Sequence, residues 1–361
     1  WQQMLESVGS LYIHGQEADW LAFDQDYAGA RRRVTLPTYP FQRQRYWLEK
    51  SEAGPRPRRG SAAAIHPLVS RRILSPLKDI QFETQLSSDW PPFLADHQVY
   101  GSVVVPGTAY LEMALAAADA AFGRGGHQLE DVKIREALIL PKDSDEARTV
   151  QLLLTPDGPD RASFQVVSLT EDDDWKLHVT GNIRLSQADS APELDELSLS
   201  EVQARCQEEL DAEAFYASAR ELGLEFGPAF RGITRLWGQA GEVLGQLRLP
   251  DSQAANVDIY QLHPALLDAA CQLALAALPE AQEDGAEAAV YLPVGYQRIG
   301  AYERFHGPLW GHVLVKQGGT ESRESLAVDV RLFDETGQIV AEVESLYLRR
   351  ATREGRRGRV R

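Results

Sequence analysis

The chain has 361 residues, 43% of them hydrophobic and 25% charged, and carries a net charge of −16. That length holds two or three compact units, the acidity argues against a general nucleic-acid or anionic-membrane binder, and no run of about 18 apolar residues marks a transmembrane helix. Two cysteines, Cys206 and Cys271, are too few for a disulfide framework or a structural zinc site, so a reducing cytoplasm is the expected setting.

The chain opens Trp1-Gln2-Gln3-Met4 without a secretory signal and reads as a piece of something longer. Residues 5–15 are expected as a helix end followed by a strand. Residues 36–48 hold two prolines and four aromatics, which favour an extended strap over an independent fold. Residues 51–63 are a linker by composition. The arginine runs at 31–33, at 56–59 and in the tail read as solvated linkers and ends.

From His66 the pattern becomes strand-rich. Ile80, Phe82, Thr84 and Leu86 recur at the period of a half-buried strand. A helix is predicted over 107–122. It is apolar nearly all round and therefore buried, and Gly123 stops it. Strands follow near 131–140, 148–155, 162–169 and 174–186, and the polar, acidic stretch 187–200 reads as a second linker. Beyond it come a helix over 211–222, strands at 231–238 and 242–249, and a second buried helix from Pro264 to Leu278, with proline in its first turn. Strands at 290–303, 308–317, 324–334 and 338–349 complete the chain, the last two joined by a turn at 334–337. Both halves thus share one plan, a long apolar helix with several antiparallel strands. An α+β fold with a sheet wrapped around each helix meets the need to bury those helices on every side.

Two constellations carry chemistry. His97 leads into a short valine-rich strand that stops at Pro106-Gly107, where the apolar helix begins. A possible base is thereby placed beside a helix start, whose free N–H groups and positive dipole end hold a carbonyl oxygen. This suits proton abstraction alpha to a thioester. In the second helix, Asp268 stands among Ala, Leu and Cys, with Gln272 four residues on along the same face. Burial raises such a carboxyl toward its protonated form, and a neutral acid held by an amide can give a proton to a leaving hydroxyl. His97 as base, Asp268 as acid and the amides near Gly107 as oxyanion donors together make a beta elimination. Each residue also has a structural reading: His97 as a satisfied polar residue, Gln272 as the cap of a buried polar pair, His263 as a helix N-terminal residue, and Gly227-Pro228 as only a turn. The other histidines, at 14, 66, 127, 178, 306 and 312, show no ligand spacing, so no metal is expected. The absence of GxSxG and GxGxxG lowers serine-hydrolase and dinucleotide readings.

His97-x3-Gly101-x4-Pro106, Phe226-Gly227-Pro228, Asp268-x3-Gln272 and Leu292-Pro293-Val294-Gly295-Tyr296 resemble, in order, the motifs of the dehydratase domains of modular polyketide synthases. The resemblance implies a double hot-dog fold acting on a beta-hydroxyacyl chain carried on the phosphopantetheine arm of an acyl carrier protein, with no cofactor bound by the domain itself. It makes His97 the base, Asp268 the acid, Gln272 the partner that orients the acid, Gly107 the backbone position facing the thioester, and Tyr216 a residue shaping the pocket. Phe226 departs from the family's tyrosine and cannot donate a hydrogen bond. The resemblance also divides the chain: 1–50 as the end of an acyltransferase and its following linker, 51–63 as linker, 64–190 as the hot-dog with the histidine, 191–204 as linker, 205–350 as the hot-dog with the aspartate, and 351–361 as a basic tail. Acyl carrier protein, neighbouring synthase domains and a second copy of the chain are the partners it implies, with neither nucleic acid nor membrane. Because chain and carrier are both acidic, docking is expected to use a local basic patch, with Arg298 and Arg349-Arg350 as candidates. Two other readings fit the same residues: a bifunctional relative that also closes an ether ring or moves the double bond, and a non-catalytic docking module.

Overall fold

The computed structural model describes residues 1–27, 29–30, 65–141, 146–185, 197–254, 257–278, 290–302, 307–316 and 325–351. The strap at 36–48, the linker at 51–63, most of the acidic segment 187–200, His306, the arginine runs at 31–33 and 56–59 and the tail beyond 351 lie outside the described residues. Two compact units are present, residues 1–53 and residues 54–361.

The first unit contains helix α1 (Gln2–Ile13) and helix α2 (Trp20–Asp24), the latter capped by the Asp19 carboxylate, which accepts from the Leu21 and Ala22 amides. The strand expected in 5–15 is therefore helix. The run Leu11-Tyr12-Ile13 suits either state by composition, and Tyr12 is turned edge-on to Trp20 of α2, with ring centroids 5.2 Å apart. Gly15, at φ +81°, ends the turn after α1.

In the second unit the first half supplies β1 (Arg71–Ile73), β2 (Ile80–Leu86), β3 (His97–Val99), β4 (Ser102–Val103), α3 (Gly107–Phe122), β5 (Gln128–Ile134), β6 (Arg148–Pro156), β7 (Arg161–Leu169) and β8 (Trp175–Arg184). The second half supplies α4 (Leu199–Arg205), β9 (Glu209–Leu210), α5 (Ala212–Glu221), β10 (Leu224–Phe226), β11 (Ile233–Gln239), β12 (Glu242–Leu247), α6 (Asp251–Ala254), α7 (Pro264–Ala277), β13 (Val290–Ala301), β14 (Leu309–Val315), β15 (Ser325–Phe333) and β16 (Ile339–Ala351). Among the described residues, one antiparallel sheet of thirteen strands runs β1-β2-β6-β7-β8-β5-β13-β16-β15-β14-β12-β11-β9. Its first six strands belong to the first half and the rest to the second. They join at β5 and β13, where Lys133 faces Gly295, Val132 faces Tyr296 and Leu129 faces Ile299.

Every residue of α3 from Thr108 to Ala118 is buried. A helix covered on all sides is one around which a sheet has closed, as its uniformly apolar sequence requires. α7 is buried in the same way against β11, β12, β14 and β15. The strand patterns match. Phe82, Thr84 and Leu86 of β2 and Ala162, Phe164, Val166 and Ser168 of β7 point inward at every second position. Each buried Leu, Val or Phe contributes about 1.5–3 kcal/mol. The result is the double hot-dog arrangement, two helices each wrapped by part of one sheet.

Three features depart from the sequence-based expectation. The strand expected at 131–140 is β5, which runs from Gln128 to Ile134. The segment 191–204 is not all linker, because Ser198 and Glu201 form a capping box that starts α4. Leu199, Val202 and Cys206 then cover Leu244, Phe333 and Ile339. The valine-rich stretch after His97 is a tight hairpin and not one strand. Tyr100 and Gly101 both have positive φ, 50° and 71°, and Val99 faces Ser102 across the turn.

The helices are also tied to each other. The buried Glu112 of α3 accepts from the amides of Gln261 and Leu262, each at 2.9 Å, directly ahead of α7. His66 Nε2 stands 3.2 Å from the same carboxylate. Beside this cluster His263 caps α7, its Nδ1 accepting from the Ala265 amide. Burial, and then the charge of His66, push the His263 ring down to about 4. Its proton affinity is lower folded than unfolded, so the stability it confers is complete above about pH 6.5 and is withdrawn as pH falls toward about 4. The total is on the order of 3 kcal/mol. Burial lowers His178 and His312 in the same sense. His263→Asn keeps a capping side chain but removes the titration. Urea melts across this pH range should show a less stable variant whose stability falls less steeply with acid than that of the native chain.

Candidate active site

The site is assembled from both halves. β3 carries His97, and its Nδ1 lies 2.8 Å from the Val104 carbonyl oxygen. A carbonyl only accepts, so Nδ1 holds the hydrogen and Nε2 is the basic nitrogen. The Val104 amide donates back to the His97 carbonyl at 3.1 Å, so one residue of the hairpin's return arm holds both the backbone and the ring. Pro106 then begins α3 in extended backbone with no side-chain cap. The Ala109 amide donates to the Pro106 carbonyl at 3.0 Å, which leaves the amides of Gly107 and Thr108 at the helix start without a side-chain cap, the state in which a helix start takes an oxyanion.

α7 brings the acid. Gln272 Nε2 donates to Asp268 Oδ2 at 2.8 Å and to the Phe230 carbonyl at 3.1 Å. The second contact fixes the amide's orientation, because only its nitrogen can face a carbonyl. With Oδ2 engaged as an acceptor, a protonated Asp268 carries its hydrogen on Oδ1. Burial raises the Asp268 carboxyl above the ordinary carboxylate range, against the opposing pull of His97 and the Gln272 hydrogen bond. Its residual exposure is to the cavity it lines.

That cavity, of about 140 Å³, is lined by His97, Pro106, Gly107, Phe226, Asp268, Gln272 and Pro293 together, with mostly apolar walls that include Val99, Val104, Leu224, Leu275 and Leu292. Seven of the residues singled out in the sequence thus meet at one place. The others support it. Gly101 makes the hairpin turn, as above. Gly227 and Pro228 hold the segment behind Phe226. Tyr216 does not line the cavity. Its hydroxyl accepts from the Ile233 amide at 3.0 Å, its ring packs edge-on against Phe226 at 6.3 Å, and Arg231 lies over it at 4.8 Å. It backs the wall that Phe226 forms. Arg298 is engaged with Glu344 at 2.8 Å, and Arg349 and Arg350 lie in register with the cavity-lining Leu292 and Tyr291. Among the described residues, no group of three or more His, Cys, Asp or Glu side chains is placed to hold a metal. Nor is any described helix long and apolar enough to cross a membrane.

Several contacts in the site escaped the sequence reading. β10 pairs with β3 so that Phe226 faces His97, and Phe230 packs its ring 5.1 Å from the imidazole. Cys271 lines the cavity, its thiol kept protonated by burial and by Asp268. Tyr296 of the Leu-Pro-x-x-Tyr segment is buried with its hydroxyl beside Gly107. A Cβ placed on Gly107 would come within 2.7 Å of that hydroxyl and 3.1 Å of Ile134 Cδ1. Gly107→Ala should therefore displace the helix start or Tyr296, costing about 1–3 kcal/mol in urea melts and lowering kcat/KM, whereas a wild-type rate would place the oxyanion site elsewhere.

Comparison with known proteins bears on the family and the fold. The family described as "Polyketide synthase dehydratase domain" matches residues 66–169, and the one described as "Polyketide synthase dehydratase N-terminal domain" matches residues 194–358. Polyketide synthase GfsE of Streptomyces halstedii is 32% identical over 356 residues, which are 96% of this chain and 9% of GfsE. Polyketide synthase PksN of Bacillus subtilis is 28% identical over 356 residues, 94% of this chain and 6% of that protein. The chain thus spans a small part of these relatives. Among solved structures, the dehydratase domain from the CurJ module of curacin polyketide synthase is 35% identical with a TM-score of 0.70, over 80% of this chain and 98% of that one. The CurF dehydratase domain is 31% identical with a TM-score of 0.70, over 80% and 99%. A likeness in sequence and fold that takes in nearly the whole of such solved domains, together with the two family matches, means that this chain belongs to the dehydratase domains of polyketide synthases.

Proposed function

We propose that the chain removes water from a beta-hydroxyacyl thioester held on the phosphopantetheine arm of an acyl carrier protein, giving the alpha,beta-unsaturated thioester during polyketide chain extension. The observation that carries the reading is the meeting of a basic imidazole nitrogen, a raised and amide-held carboxyl and an uncapped helix start in one cavity. His97 Nε2 takes the alpha proton as negative charge develops on the thioester oxygen, and the amides at Gly107 receive that charge. Asp268 Oδ1 gives its proton to the beta hydroxyl, and the C–O bond breaks as water leaves. Protons and electron pairs balance without a cofactor. The apolar walls accept the acyl chain and exclude bulk water, which keeps the acid protonated.

Two solved relatives lend support. The CurK dehydratase is described as inactive with an Asp-to-Asn exchange and with a His-to-Phe exchange, and the CurJ dehydratase as inactive with a His-to-Phe exchange. Acyl carrier protein, the adjoining domains of a synthase and a second copy of the chain are the proposed partners, in the cytoplasm. The test is turnover of a short beta-hydroxyacyl pantetheine thioester, followed by the ultraviolet absorbance of the conjugated enoyl product. Growth of that absorbance supports the reading. Its absence from every diastereomer, in folded protein that still binds the thioester, overturns it in favour of a docking module.

A further inference from the structure

Asp96 directly precedes the base and takes no part in the proton transfers. Its backbone carbonyl accepts from the Gly227 amide at 2.7 Å, and its carboxyl Oδ2 accepts from the Ala229 amide, also at 2.7 Å. Residue 96 belongs to the first half of the unit, and residues 227–229 to the second. The short turn that Asp96 grips, Pro228–Phe230, has two further contacts. The Phe230 ring packs against the His97 imidazole, and the Phe230 carbonyl accepts from the Gln272 amide that holds Asp268. A chain of direct contacts therefore runs from the residue before the base, through the Gly-Pro turn, to the acid. The approach is close: a Cβ on Gly227 would lie 2.6 Å from the Asp96 carboxyl carbon, although the backbone there (φ −77°) is open to any residue. Glycine at 227 is explained by what it touches and not by its conformation.

We propose that Asp96 is a positioning residue that, by gripping the Gly227–Phe230 turn, sets the acid Asp268 against the base His97. The inference rests on the acid–base reading above. If the grip is lost, the turn moves, Gln272 loses the carbonyl that orients it, and Asp268 loses its amide partner. A shift of about 1 Å in reacting groups can cost on the order of a hundredfold in rate. Asp96→Ala should lower kcat by about 10- to 100-fold with little change in KM. Asp96→Asn, which keeps an oxygen for the Ala229 amide, should recover most of the rate. Gly227→Ala should reproduce the defect by crowding the carboxyl from the other side.

The readout that a merely structural role would not move is the titration of the Asp268 carboxyl, followed by ¹³C NMR in the substrate-free protein. Loss of the Gln272 hydrogen bond, which favours the ionised form, moves that titration upward in Asp96→Ala and Gly227→Ala and leaves it in place in Asp96→Asn. A folded Asp96→Ala or Gly227→Ala protein with the wild-type titration overturns the inference. Because this readout needs no turnover, it separates failure of the coupling from failure of the dehydratase reading, which the native chain's own inactivity would reveal. If Asp96→Ala does not fold, Gly227→Ala and Asp96→Asn carry the comparison.

Discussion

Replacing Asp268 by Asn is expected to lower the rate of water loss by about 10²–10⁴-fold, the range for removing a positioned general acid, and to leave thioester binding nearly intact. The amide has the size of the carboxyl and can keep a partner in Gln272, but it has no proton of suitable acidity for a leaving hydroxyl. The same substitution should alter stability in a direction that depends on pH. Burial raises the folded carboxyl above its ordinary value of 3.8. The stability it confers is therefore complete below that value and is lost as pH rises through the folded titration. Asn does not titrate. Thermal melts should show the variant gaining on the native chain as the buffer is taken from acid to alkaline. A constant difference across that range would mean that Asp268 is not held protonated by its surroundings. In the native chain the alkaline limb of kcat should coincide with the titration of this carboxyl.

His97→Ala should produce a comparable loss in rate, about 10²–10⁴-fold, for a different reason, and the two variants are separable. The hairpin does not depend on the ring for its register. Gln98 and Val99 pair with Val103 and Ser102, and the Val104 amide still reaches the residue 97 carbonyl. The fold should survive the loss of one side-chain hydrogen bond, which costs about 1 kcal/mol, and of the contact with Phe230. The variant leaves a ring-sized space open to the cavity. Added imidazole should enter it and restore part of the rate to His97→Ala while doing nothing for Asp268→Asn. Equal behaviour of the two variants toward imidazole would break the assignment of base and acid.

What could be read in the sequence and what could not divides along the range of the interactions involved. The buried helices at 107–122 and 264–278 follow from periodicity and capping, which act over a few residues, and their observed bounds differ by at most one residue, whereas the strand expected at 131–140 runs from Gln128 to Ile134. Asp268 and Gln272 were identifiable because they stand in an otherwise apolar helix, and His97 because of its spacing to Gly101 and to Pro106 at the helix start. The hairpin at Tyr100-Gly101 was hidden by valines on both sides and by a tyrosine at a positive φ, where asparagine or aspartate is the usual marker. The pairing of β10 with β3 and the grip of Asp96 on the turn at 227–229 join segments about 130 residues apart. They leave no periodic trace, since one carboxyl accepting from one distant amide imposes no pattern on its neighbours. Glu112 was hidden in the same way. In a helix apolar nearly all round, a single acid reads as an exception until Gln261 and Leu262 are seen to donate to it. Tyr216 illustrates the converse. Its place in the sequence suggested the pocket, but its hydroxyl is taken by the Ile233 amide and only its ring reaches the wall, through Phe226.

Phe226 is the one motif position whose chemistry differs from the family's pattern, and the structure gives its place a plain function. It faces His97 across the β10–β3 pair and lines the cavity with an apolar ring. Nothing in the arrangement of base, acid and helix start requires a hydroxyl there.

The most direct test of the account is the mass of an acyl carrier protein loaded with each diastereomer of a beta-hydroxyacyl chain, after incubation with the native chain, with His97→Ala and with Asp268→Asn. Loss of one water with the native chain alone, from a preferred configuration, is the predicted result. Equal loss with either variant, or none with the native chain while the loaded carrier still binds, would contradict the assignment of His97 and Asp268 as the pair that performs the elimination.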